Sequence, residues 1–122
     1  MAVGAVTREQ RRIAVVGPCA SGKSTLVEGL RRLGFEAYGC GQEHSDIPTL
    51  WRHGEPSAVV FLDIDLDTVR QRRGADWPSQ LFATQLRRLA SARAAAALVI
   101  DARLISPTEV LARTVAVLGA EV

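Results

Sequence analysis

The chain is poor in lysine, aromatic residues and cysteine. It also lacks any long apolar run. Lys23 is the single lysine among fifteen basic residues, the rest being arginine. With six aromatic side chains in 122 residues, the core has to be aliphatic, built on Ala, Val, Leu and Ile. Two cysteines, Cys19 and Cys40, are too few for a disulfide framework or a four-ligand zinc site, and point to a reducing compartment. No stretch of about 18 apolar residues is present, which excludes a membrane-spanning helix. The N-terminus shows no basic-then-apolar pattern of a secretory signal, so the expected location is cytoplasmic. Thirteen acids nearly balance the bases, and a net charge of +2 gives no warrant for a nucleic-acid partner.

What is present fits one domain spanning 1–122, with residues 1–10 as a loosely ordered lead-in. Arg12–Val16 (RIAVV) reads as a buried parallel strand that stops at Gly17. From Lys23 the period becomes helical, with Leu26, Val27, Leu30 and Leu33 on one face and Gly34 as the stop. Residues 35–38 suggest a second strand. Residues 39–57, rich in Gly and Pro, predict an irregular connection with a helical turn around Leu50 and Trp51.

Residues 58–64 (AVVFLDI) read as a third strand carrying Asp63 near its end. A helix follows over Leu66–Arg73, with Asp65 or Asp67 near its start. A longer helix runs from Pro78 or Ser79 to about Arg93, and a fourth strand covers Leu98–Asp101. Ser106-Pro107-Thr108-Glu109 orders a cap, an N1 proline and an N3 acid before a last helix that ends near Leu118. The alanines at 94–97 predict close helix–sheet packing. This alternation implies a three-layer α/β/α domain around a parallel sheet of about four strands.

One segment carries chemistry. Gly17-Pro18-Cys19-Ala20-Ser21-Gly22-Lys23-Ser24 has the spacing GxxxxGK[ST], and Thr25 follows. It stands between an apolar strand and an amphipathic helix, as a phosphate cradle requires. Glycines let the backbone approach phosphate oxygens closely. Loop amides and the helix N-terminus supply positive potential. Lys23 can reach β- and γ-phosphates, the Ser24 hydroxyl can ligate Mg2+, and Thr25 supports the helix start. Cys19 reads as a spacer in this loop.

On GPCASGKST the chain resembles P-loop nucleoside triphosphatases, and within them the small nucleotide and small-molecule kinases. The segments 58–73 and 98–118 resemble the family's acid-ended strand with its arginine-rich lid and its last strand and helix. The resemblance implies ATP and Mg2+ as cofactors and phosphoryl transfer to a small-molecule acceptor in the 39–53 region. It implies catalytic roles for Lys23 and for lid arginines, of which Arg72 and Arg73 match best. The carboxylate of the Walker B type falls to Asp63, paired with Ser24 on the metal, or to Asp46 or Glu43 on the loop after the second strand. Asp101, at the end of the fourth strand, is a further candidate. His44 could touch substrate, although one histidine is thin support for a metal site. Trp77 and Trp51 read as packing residues or base-stacking platforms. If the family's strand order holds, the sheet runs 35–38, 12–17, 58–63, 97–101. No guanine-reading NKxD segment is present, which favours adenine.

The chain is short for such a kinase, and no separate acid-bearing strand is evident between 39 and 57. The alternative reading is therefore a nucleotide-binding regulatory or interaction module with little or no transfer. An exposed sheet edge leaves room for self-association.

Overall fold

The computed structural model describes residues 11–119; the lead-in expected at 1–10 lies outside the described residues. Four parallel strands, β1 (Arg12–Val16), β2 (Glu36–Gly39), β3 (Ala58–Asp63) and β4 (Leu98–Asp101), form a sheet in the order β2-β1-β3-β4. That is the expected order. In register, Val15 stands beside Gly39, Val16 beside Phe61, and Asp63 beside Asp101. Because β1 pairs directly with β3, no strand separates them. The 39–57 connection instead holds two 3₁₀ turns, Gln42–His44 and Leu50–Gly54.

The alternation of β1 and β3 builds both outer layers. Ile13, Val15, Val60 and Leu62 face a core shared with Leu26, Val27 and Leu30 of α1 (Lys23–Arg32) and Val110 and Leu118 of α4 (Pro107–Leu118). Val69 of α2 (Leu66–Arg73) joins the same cluster. Ala14, Val16, Val59 and Phe61 face the opposite way, onto Trp51 and onto Leu89 and Ala92 of α3 (Ser79–Ala95). The molecule is thus a three-layer α/β/α domain with both faces of β1 and β3 covered, which explains their apolar runs.

Local chemistry sets the helix ends. Gly34, at φ +96°, lets α1 close with paired bonds from Gly34 N–H to Arg31 and from Phe35 N–H to Leu30. Asp65 caps α2, accepting from the Thr68 amide at 2.9 Å and the Thr68 hydroxyl at 2.5 Å. Ser106 caps α4, accepting from the Glu109 amide at 3.1 Å, with Pro107 at the first position. The alanine stretch departs from expectation. Ala94 and Ala95 complete α3, and Ala94, Ala95 and Ala97 are exposed. Only Ala96 packs against the α3-side core. The stretch crosses the end of the helix and the entry to the edge strand, so most of it has no facing layer.

Candidate functional site

The loop between β1 and α1 lies at the carboxyl ends of the strands, where open α/β sheets present their binding crevices. Its path is fixed by close approach. A Cβ at Gly17 would sit 2.6 Å from the Leu62 carbonyl oxygen and 2.7 Å from Ser21 Oγ. Ala20 (φ +67°) and Gly22 (φ +96°) hold left-handed conformations that bend the loop, with the Ser21 amide bonded to Pro18 O at 3.3 Å. α1 then begins at Lys23, with Gly22 at its N-cap, no side-chain cap and no acid in its first turn; α3 is likewise uncapped, whereas α2 and α4 are capped. The positive helix end is left for another acceptor.

Lys23 curls back over this loop. Its Nζ donates to Gly17 O and Pro18 O, both at 2.9 Å, and lies 2.7 Å from Glu43 Oε2. The Glu43 side chain is only 5% exposed, and its Oε1 is buried without a partner. Glu43 belongs to the turn Gln42–His44, entered through Gly41 at φ +70°. That turn is anchored from inside. Gln42, fully buried, donates to Ile47 O at 2.8 Å and accepts from Trp51 N–H at 2.9 Å. α3 holds it from outside, with Arg88 donating to Glu43 O at 3.3 Å and to Asp46 Oδ1 at 2.9 Å.

α3 also grips the loop itself. Gln85, fully buried, accepts from the Cys19 amide at 3.1 Å and donates to Cys19 Sγ at 3.2 Å. From the other side Arg72 donates to Ala20 O at 2.7 Å and to Ala102 O at 3.0 Å. A cleft of about 630 Å³ results, lined by Cys19, Ala20, Gly22, Lys23, Ser24, Thr25, Glu43, His44, Arg72, Arg73 and Trp77. A second cavity of about 610 Å³ shares Lys23 and Ser24 and extends past Arg31 and Arg32 to Gly39 and Gly41. A third, about 270 Å³, lies against Ser21, Gly22 and Thr25 and is closed by Leu26, Ile105, Pro107 and Val110. Ser21 Oγ is buried there without a partner.

The expected residues divide. Lys23, Ser24, Thr25, Arg72 and Arg73 meet at one cleft. Asp63 and Asp46 do not line it. Asp63 pairs with Arg93 at 3.3 Å and borders a different cavity with Phe61 and Leu86. Its parity in β3 matches Val59 and Phe61, so its side chain emerges on the α3 face. Asp46, whose side chain is 87% exposed, follows the turn and faces Arg88 rather than the loop. Glu43, the other acid of that segment, supplies the carboxylate beside Lys23. Asp101 is bound by Arg103 at 2.8 Å, and that charge-assisted contact holds its carboxyl down at about 2. The Thr68 hydroxyl and amide, with Arg103, likewise lower Asp65. Asp101 serves the β4–α4 corner, while Asp65 caps α2 and reaches Arg103 at 3.4 Å. Trp51 is a core residue, its Nε1 3.2 Å from Ser91 Oγ. Trp77 packs against the main core and borders the cleft.

Gln85 was not legible as a site residue. It stands at a helical core position, and only the fold shows that its amide serves the loop. Burial pushes the Cys40 thiol above its ordinary range, away from easy ionisation. No described helix is long and apolar enough to cross a membrane. Comparison with protein-family models, curated proteins and solved structures finds no significant match. The functional reading therefore rests on the site itself.

Proposed function

We propose that the chain binds a nucleoside triphosphate, ATP by preference, on the loop 17–25, and that it is a P-loop protein of the small-kinase type. The observation that carries this reading is the convergence of three features. An uncapped helix start, a loop bent through two left-handed residues and a lysine ammonium meet at one cleft. The helix start and the ammonium each favour an oxyanion, and together they suit a polyphosphate. The apolar cavity walled by Leu26, Ile105 and Val110 offers a place for a flat base next to Gly22 and Thr25. The cavity bordered by Arg31, Arg32 and Gly41 opens from the same lysine and suits a polar acceptor.

Mg2+ fits the donor set. Ser24 and Glu43 line the same cleft, and a hydroxyl with a carboxylate is a donor pair suited to a hydrated magnesium ion. When bound, the ion would neutralise charge on the β- and γ-phosphates. Asp63, tied to Arg93 on the other face, is not needed for this role.

In the transfer step an acceptor hydroxyl oxygen bonds to the γ-phosphorus as the bond to the β–γ bridging oxygen breaks. The nucleoside diphosphate leaves, and the hydroxyl proton passes to water. Lys23 gives up one of its present acceptors to hold the transferred group, and Glu43 keeps the ammonium aimed. Arg73 is exposed at the cleft and free to swing onto phosphate, while Arg72 braces the loop through Ala20 O.

A second reading has its own support. The ammonium of Lys23 already satisfies three acceptors, which suits a module that binds nucleotide without turning it over. Turnover of Mg-ATP across a panel of hydroxyl and phosphate acceptors separates the two. Transfer that vanishes in Lys23→Ala supports the kinase. Binding with no transfer to any acceptor supports the module. Transfer unchanged in Lys23→Ala refutes the proposed mechanism.

A further inference from the structure

We infer that Cys19, Glu43 and His44 form a site for a borderline divalent metal ion of the zinc class at the mouth of the loop. Their ligand atoms all lie within 4.8 Å of one another. Cys19 Sγ is 3.8 Å from His44 Nε2, which is 3.7 Å from Glu43 Oε2. Two ligands on a tetrahedral zinc ion stand about 3.3–3.8 Å apart, as bond lengths of roughly 2.0–2.3 Å require. The Cys19–His44 and His44–Glu43 spacings fall at the upper end of that range, and the Cys19–Glu43 pair, within 4.8 Å, has to close by up to about 1 Å.

The chemistry of the donors selects the metal. A thiolate, an imidazole and a carboxylate together suit zinc or cobalt, whereas magnesium prefers oxygen throughout. Three protein ligands leave a fourth position open.

Two further observations mark this as a prepared site. The buried amide of Gln85 donates to Cys19 Sγ at 3.2 Å and fixes where the sulfur sits, as outer partners do around metal ligands. Glu43 is 4% exposed, and its Oε1 has no partner. Glu43 Oε2, which holds Lys23 at 2.7 Å, is also the oxygen that stands 3.7 Å from His44 Nε2, so the ammonium and the metal would share it. The His44 side chain, 64% exposed, gives the ion a way in. Since Lys23 and the metal would share Glu43, loading the metal also shifts nucleotide affinity. That consequence alone rests on the nucleotide reading.

Titration of the metal-free chain with Co2+, followed by Zn2+ competition, tests the site without any nucleotide. The expected result is one equivalent of Co2+ with a thiolate-to-cobalt charge-transfer band and the intense visible bands of four-coordination, displaced by Zn2+. Cys19→Ser should lose the charge-transfer band. His44→Ala should bind about tenfold or more weakly, as losing a metal ligand implies. Cys40→Ser should behave as the parent chain, with circular dichroism showing each variant folded. A folded parent chain without the band would overturn the proposal. So would a band that survives in Cys19→Ser, or one lost in Cys40→Ser.

Discussion

Removing Lys23 should destabilise the fold more than removing Glu43, although the two form one ion pair. At 2.7 Å and an effective dielectric constant of about 20, the gross attraction is about 6 kcal/mol, much of it offset by desolvation. The remainder is unequal between the partners. In Lys23→Met, Glu43 is left as a nearly buried carboxylate whose Oε1 already lacks a partner. Stranding such a charge costs about 3–5 kcal/mol. In Glu43→Gln, the ammonium keeps Gly17 O and Pro18 O at 2.9 Å and is 16% exposed. One charge-assisted bond is weakened, at about 1–2 kcal/mol. The double variant should cost about 2 kcal/mol less than the sum of the singles. Urea unfolding of all four proteins reads these values, and scanning calorimetry should give Tm losses of roughly 4 °C per kcal/mol. Glu43→Gln costing as much as Lys23→Met, or single effects that simply add, would refute the reasoning.

Three other expectations concern the frame around the site. Gly17→Ala forces a Cβ to 2.6 Å from the Leu62 carbonyl. That oxygen is main chain in a central strand, so a loss of about 1–3 kcal/mol is expected in urea unfolding, and a loss under about 0.5 would contradict it. Asp101, held at about 2 by Arg103, should titrate upward toward the ordinary carboxylate range in Arg103→Ala. Because its folded value is depressed, its contribution is complete above the unfolded value. It is lost as pH falls toward about 2. Carboxyl chemical shifts followed through an acid titration check both points; an unmoved Asp101 midpoint in the variant would count against the Arg103 contact. Cys40, raised mainly by burial, should alkylate with a pH midpoint above that of a free thiol in a Cys19→Ser background. A midpoint at or below the free-thiol value would argue against burial as the cause.

Much of this arrangement is local and therefore legible in the sequence. Ser106, Pro107 and Glu109 set a helix start through neighbouring bonds, and Gly34 sets a helix end in the same way. The sheet order is the one implied by the resemblance that the loop after β1 carries. The acids were harder, because their partners lie far along the chain. Asp63 ends a buried strand, yet period-two parity sends it toward Arg93 on α3. Parity was available from the sequence, but which layer lay on which face was not. Glu43 and Asp46 share one polar segment, and a single 3₁₀ turn decides between them. The first is turned inward onto Lys23, and the second is left facing Arg88. Gln85 and the Cys19–Glu43–His44 cluster need α3, the loop and the turn brought together, which no local pattern encodes.

The lone lysine of an arginine-rich chain is the centre of this account, so nucleotide binding at that residue is its most direct test. Calorimetric titration of the folded chain with Mg-ATP should show one site. Lys23→Ala, folded by circular dichroism at the same temperature, should bind at least about tenfold more weakly, as expected on losing a charged hydrogen-bond donor to phosphate. A folded parent chain that takes up no nucleoside triphosphate, or equal binding by Lys23→Ala, would contradict the account.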